Sequence, residues 1–255
     1  MLIDTHAHYD DKKFNDDREE VLAEVKQSVD IVINSGANLR SSRASVELAR
    51  KHDFIYASVG VHPHDAERTP DNTIEILAGL LENKKTVAVG EIGLDFYHNF
   101  SNQESQRYWF KKQMDFAADT KYPVVIHNRD AHGESLEMTK KYKGRVKGVF
   151  HCFAGSAEMA RELIKLDYMM SFGGVATFAN AKTCIEALKA VPAEYILLET
   201  DCPYLAPHPK RGERNDSRNL QIIAEKIAGI KNMDAQDFIK QTGENAVRCF
   251  RRLVE

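Results

Sequence analysis

Along this chain, short apolar runs rich in Val, Ile, Phe and Tyr alternate with amphipathic stretches, and most of the runs end on a polar residue. The runs are Leu2–His6, Asp30–Ser35, Phe54–His62, Thr86–Glu91, Pro123–His127, Val146–His151, Tyr168–Phe172 and Tyr195–Asp201. Several are apolar at consecutive positions, as parallel strands covered by helices require. Between them, Asp16 with Glu19 three residues on predicts a capping box opening the first helix. Thr69-Pro70 predicts a cap residue before a proline at the first helical position. Gln103–Thr120 carries Trp109, Phe110, Gln113, Phe116 and Ala117 at spacings of three and four, which predicts one mostly apolar helix face. Leu220, Ile223, Ala224 and Ile227 repeat that spacing, and a last helix is predicted from Asp234 to Leu253.

Eight strand–helix alternations with no break in composition and no linker predict one domain over residues 1–255. The expected fold is α/β, a single (β/α)8 TIM barrel with an extra C-terminal helix. An open doubly wound sheet would normally carry a Gly-rich phosphate loop after an early strand, and the chain has none. The net charge of -3 argues against a broadly basic, nucleic-acid-coating surface but leaves room for a local basic patch. Cys152, Cys184, Cys202 and Cys249 lack short pairing and read as reduced thiols. With no basic-then-apolar leader and no membrane-length apolar run, a cytoplasmic location without membrane association is expected.

The chemistry is concentrated in the residues that end the runs. His6 and His8 end the first, Glu91 the fourth, His127 the fifth, His151 the sixth and Asp201 the eighth. In a barrel these ends converge on one mouth. Side chains two apart on a strand point the same way, so His6 and His8 aim together toward the axis, with Asp4 expected one layer below. The same parity pairs Glu199 with Asp201 and sets Val149 beneath His151. Imidazoles with carboxylates suit divalent cations, zinc on the nitrogen-rich side, magnesium or manganese on the oxygen-rich side. The expected arrangement has two ions, one held by His6, His8 and Asp201, the other by His127 and His151, with Glu91 between them. Such a pair suits in-line displacement at phosphorus.

The segments Ile3-Asp4-Thr5-His6-Ala7-His8, Gly60-Val61-His62-Pro63-His64, Gly90-Glu91-Ile92-Gly93-Leu94-Asp95, His127-Asn128-Arg129-Asp130, His151-Cys152-Phe153 and Leu198-Glu199-Thr200-Asp201-Cys202-Pro203-Tyr204-Leu205 closely resemble the TatD-family metal-dependent deoxyribonucleases, which belong to the amidohydrolase-like TIM barrels. The resemblance runs in order from residue 3 to about residue 215 and continues weakly to Asn245. It implies the same six ligands and a magnesium- or manganese-supported DNase trimming from a 3′ end. It departs after Arg211-Gly212-Glu213-Arg214-Asn215, where the family commonly has Glu-Pro and this chain has Asp216-Ser217.

An anionic substrate needs cationic groups near the ions, and the loop after the eighth run offers Lys210, Arg211 and Arg214, with Arg129 just beyond His127. His62 is expected to contact a phosphate or protonate a leaving oxygen, His64 to be structural. Phe96, Tyr97 and His98 are expected either to stack on a base or to form a lid. The expected mechanism has water, activated by the ions, attacking phosphorus, with Asp201 as general base and Glu199 orienting a ligand from behind. His52, His132 and His208 are expected at the surface, and Cys152 and Cys202 are expected to pack behind the ligands. Amide or ester hydrolysis, such as deacylation of aminoacyl-tRNA, is the alternative. A modified lysine bridging two metals on the fourth strand would favour it, but Lys84 and Lys85 precede that run. A non-catalytic metal-stabilised module is a further alternative. Nothing in the pattern demands a protein partner, so a monomer is expected.

Overall fold

The computed structural model describes residues 1–254. Eight parallel strands follow chain order around one sheet: β1 (Ile3–Ala7), β2 (Ile31–Ser35), β3 (Ile55–Val59), β4 (Thr86–Asp95), β5 (Val124–Arg129), β6 (Gly148–Phe150), β7 (Tyr168–Phe172) and β8 (Ile196–Leu198). Just beyond β8 an Ala7–Cys202 bridge, with Asp201 N–H donating to His6 O (2.9 Å) and His8 N–H to Cys202 O (2.8 Å), brings the chain back to β1. The result is a nearly closed TIM barrel, as expected.

Nine helices in the described residues clothe it: α1 (Arg18–Val25), α2 (Leu39–Lys51), α3 (Thr73–Leu81), α4 (Gln103–Thr120), α5 (His132–Lys141), α6 (Ala157–Lys165), α7 (Lys182–Ala190), α8 (Leu220–Lys231) and α9 (Ala235–Cys249). Inside, Ile3, Ile33, Val125, Val149, Met169 and Leu197 form one apolar cluster, and Ala246, Phe250 and Leu253 from the C-terminal segment complete it. The extra helix thus closes the end of the barrel where the strands begin. A second, larger cluster lies between strands and helices, where Val32, Leu77, Phe110, Ile126 and Ile223 are buried.

Three local expectations fail. Asp16 opens no capping box: α1 is preceded by Asp17, which makes no side-chain cap and instead binds Arg214. Thr69-Pro70 follows a 3-10 turn (Pro63–Arg68), and α3 begins three residues after Pro70, behind Asn72. β4 does not stop at Glu91. Its register shifts between Gly90 and Ile92, after which Ile92–Asp95 pair with Ile126–Arg129. Gly93 permits this close pairing, because at its φ of 139° a Cβ would fall 2.0 Å from His127 O. The helices Gln103–Thr120 and Leu220–Lys231 lie where the apolar spacing put them, while the last helix ends at Cys249 and continues as a 3-10 turn, Arg251–Val254.

Candidate metal centre

The six polar residues that end the runs meet at one mouth. His6 Nε2 and His8 Nε2 lie 3.0 Å apart. Asp201 Oδ1 stands 3.8 Å from the first and 3.4 Å from the second. On the other side His127 Nδ1 and His151 Nε2 are 3.3 Å apart. Glu91 lies between the two groups. Its Oε2 is 3.4 Å from His6 Nε2, and its Oε1 is 3.0 Å from His127 Nδ1 and 2.8 Å from His151 Nε2. His6, His8 and Asp201 therefore form one set of atoms close enough to share a cation, and Glu91, His127 and His151 form another.

The backbone explains why they converge. A register shift in β1 between Asp4 and Ala7 turns His6 toward the centre but leaves Asp4 facing elsewhere. Asp4 is thus not beneath the imidazoles. Its buried carboxylate accepts from Thr200 N–H, Thr200 Oγ1 and Ser217 Oγ, and burial raises its pKa to about 6. The inner layer below holds Ile3 instead, beside Val149 and Leu197.

The protons on the rings are fixed from behind. His8 Nδ1 lies 3.0 Å from Ser35 O, which only accepts, so Nδ1 carries a hydrogen and the inward Nε2 is the nitrogen that gives up its proton to bind a cation. His127 Nε2 lies 3.2 Å from the buried Asp95 carboxylate and donates to it, which leaves the inward Nδ1 to bind a cation. This carboxylate–imidazole support is how proteins orient rings toward metals. Lone pairs aimed at shared points fit divalent cations: His6, His8 and Asp201 could hold one, His127 and His151 another, and Glu91 both.

Electrostatics agree with a charged cluster. Burial opposes ionisation of Glu91, but the neighbouring His151 and His62 imidazoles hold its pKa well below the usual value. Burial likewise opposes charge on His8, yet Asp201 outweighs it and lifts the ring to about 10. His151 rises to about 9 against burial because of Glu91. His6, dominated by burial, falls to about 4. Glu199 is fully buried, which raises it to about 7. Its oxygens accept from Cys152 N–H (2.7 Å) and Ser171 Oγ (2.5 Å), and it stands 3.8 Å behind His151 Nδ1.

The cleft above the centre encloses about 1100 Å³ and is lined by His62, Arg129 and Arg211 among others. His62 Nε2 lies 3.2 Å from Glu91 Oε1, and its Nδ1 accepts from His64 N–H. Burial lowers its pKa to about 3, so the ring is neutral and donates a hydrogen bond without serving as a protonated acid. The remaining two basic residues of the loop after β8 are not brought to the cleft. Arg214 grips Asp17 through both terminal nitrogens (2.8 and 2.5 Å), over the Phe14 ring, and exposed Lys210 does not line the cavity. The altered loop is held by Asn215, whose Nδ2 donates to Thr200 O and Tyr204 O, and by Asp216, which pairs with Arg218.

His132 lines the cleft half-buried against Asn128, not at the surface. Asp95, at the end of β4, is the main residue of the centre to which the sequence pattern assigns no role. Its Oδ2 receives His64 Nε2 (2.7 Å), His98 Nδ1 (2.8 Å) and His127 Nε2 (3.2 Å), while Oδ1 accepts from Tyr97 and His98 N–H. The signal available was an acid four residues after Glu91, in a run that continues beyond its glycines. Cys202 is buried and Cys152 partly so, and burial raises both thiols, which leaves them poor nucleophiles.

Residues 3–251 match the family model of the TatD related DNase. An uncharacterized metal-dependent hydrolase of Bacillus subtilis, YabD, is 39% identical over 98% of this chain and 99% of its own. A 3'-5' ssDNA/RNA exonuclease TatD of Edwardsiella piscicida is 35% identical, covering 99% of this chain and all (100%) of that one. The crystal structure of YJJV, a TatD homologue of Escherichia coli, superposes with a TM-score of 0.92 at 28% identity over 98% of both chains. With its fold, its motifs in order and this match along nearly the whole length, the chain belongs to the family of TatD-related DNases.

Proposed function

We propose that this protein is a divalent-metal-dependent hydrolase of phosphodiester bonds in DNA, trimming single strands from the 3′ end. The observation that carries the reading is Glu91, whose two carboxylate oxygens are divided between the two donor groups beneath an open cleft. The Edwardsiella relative, named as an exonuclease on single-stranded DNA and RNA, supports the choice of nucleic acid. Magnesium, manganese or zinc ions held by His6, His8, Glu91, His127, His151 and Asp201 would supply Lewis-acid activation of water and neutralise phosphate charge.

The chain's own side chains do the rest. Asp201, held ionised because His8 outweighs the effect of its burial, borders the cleft and takes the proton of the attacking water. Glu91 keeps the two donor groups in register. Glu199, closed off from the cleft, holds the Cys152 backbone and stands behind the His151 ring. His62 donates from Nε2 to Glu91, and Arg129 and Arg211 offer planar guanidinium donors to phosphate oxygens. All of these groups come from one chain on one barrel domain, so a monomer suffices for activity.

Incubation of 3′- and 5′-labelled single-stranded DNA with the chelated protein, restored separately with magnesium, manganese or zinc, tests this. Stepwise loss of nucleotides from the 3′ end, dependent on added ion, is expected. Intact DNA under every ion, with cleavage of an aminoacyl ester, would replace the proposal with the ester-hydrolase reading.

A further inference from the structure

Apolar exposure is concentrated at the mouth of the barrel. Among the described residues six large apolar side chains are exposed; two of them, Tyr204 and Leu205, line the cleft, and two more, Phe100 and Tyr97, touch the lining residues His64 and Arg129. Phe100 is 64% exposed and Tyr97 59%, the two highest values in that set. Clustered apolar exposure beside a cleft, unlike singly scattered apolar side chains, is a candidate binding surface. Phe96, by contrast, packs against the core with Arg107 over its ring, so it is not part of this surface.

The rings form a path from rim to centre. Phe100 lies parallel to His98 (5.4 Å, 20°) and edge-on to His64 (4.8 Å). His64 in turn stands 6.0 Å from His127. Phe100 is therefore two ring contacts from a donor of the metal centre. Beside it, Tyr97 is covered on one face by the Arg129 guanidinium at 4.3 Å, and its remaining surface is open. Across the cleft Arg211 lies 4.3 Å over Phe178. Neither Arg129 nor Arg211 has a carboxylate partner among the described residues, so both cations are available to an anion.

We propose that Phe100 and Tyr97 form a stacking platform for the unpaired nucleobases of a polynucleotide end, while Arg129 and Arg211 take its backbone phosphates on the two rims. The pairing of flat apolar rings with unpaired guanidinium groups matches a single strand, which offers a free base face and a phosphate at each step. Bases inside a duplex are covered on both faces by their neighbours, so the platform selects unpaired ends. It is also tolerant of sequence, because every base has a π-face. This specificity device rests on the phosphodiesterase reading proposed above and names the side chains that select the unpaired strand.

The test compares wild type with Phe100→Ala, Tyr97→Ala and Phe100→Trp on two single strands, one bearing bases throughout and one abasic at its 3′-terminal positions. Wild type is expected to prefer the base-bearing strand. Each alanine variant is expected to lose roughly 5- to 150-fold in kcat/KM on that strand, with a much smaller loss on the abasic one. Phe100→Trp should restore the preference. Anisotropy of the same labelled strands with chelator present should show the same order of affinities, independently of turnover. Equal losses on both strands, or variants indistinguishable from wild type, overturn the platform while leaving the hydrolase reading intact. Failure of wild type to cleave either strand with any ion removes the hydrolase reading and the platform together.

Discussion

Asp95→Asn is the most informative single perturbation of the centre. The native carboxylate is buried and accepts five hydrogens, three from imidazoles on Oδ2 and two from backbone N–H groups on Oδ1. An asparagine that keeps the backbone pair on its oxygen turns an NH2 toward the three rings. His64 and His98 can answer by exchanging tautomers. His127 cannot, since moving its hydrogen to Nδ1 would remove the lone pair facing Glu91 and His151. The cost thus falls on His127 as a ligand, and outer partners of this kind are worth about 10- to 100-fold in metal affinity or activity. Stability should fall as well: one charged hydrogen bond is worth about 1.5–3 kcal/mol. In a chain of this size that corresponds to roughly 3–12 °C in Tm. Titration calorimetry with manganese on wild type and variant, together with kcat/KM on a labelled oligonucleotide, measures both effects. Manganese affinity and turnover within twofold of wild type would refute the claim that Asp95 sets the orientation of His127.

Asp201→Ala should abolish all but a trace of turnover while lowering Tm by only a few degrees, and near-native hydrolysis would remove Asp201 as the base. Gly93→Ala should be strongly destabilising, read by thermal melting, because φ at 139° is strained for alanine and the new methyl would meet His127 O at 2.0 Å. In the chelated protein His8 (about 10) and His151 (about 9) are raised above their unfolded values, so their stabilisation is full below about pH 6.5 and is lost as pH rises through 9–10. Asp4 (about 6) and Glu199 (about 7), also raised, lose theirs earlier on the same rise. The Tm of chelated protein should therefore fall from pH 6.5 to 9.5, with added manganese widening the gap between loaded and chelated protein as its ligands shed protons. A chelated Tm that rises over that interval would contradict the assigned protonation.

The barrel was legible because buried parallel strands must be apolar on both faces, and eight such runs survive in the sequence as Val- and Ile-rich segments between amphipathic helices. The convergence of His6, His127 and Asp201 was legible for a related reason. A polar side chain at the end of an apolar run is held where strands meet, and nothing about loop geometry is needed to place it. Strict alternation then failed wherever the backbone broke its own period. The shift in β1 put Ile3, not Asp4, in the layer beneath the imidazoles, and the shift in β4 carried the strand past Glu91 to Asp95. A bulge leaves only a faint mark on the sequence, here two glycines that also look like the end of a strand.

The same reasoning explains why the basic loop misled. Arginine's long stem lets its charge find a partner several residues away, so position in the chain fixes its destination poorly. Arg211 and Arg214, three residues apart, end on different surfaces: one over Phe178 in the cleft, the other locked to Asp17 beside Phe14. A histidine at a strand end has two torsions and a backbone already aimed, whereas an arginine in a loop has neither constraint. The placing of strand-end side chains can therefore be argued from pattern, but substrate contacts must be argued from the partners each cation already has. By that standard Arg129 and Arg211, still without a carboxylate among the described residues, are the cations left to meet a phosphate.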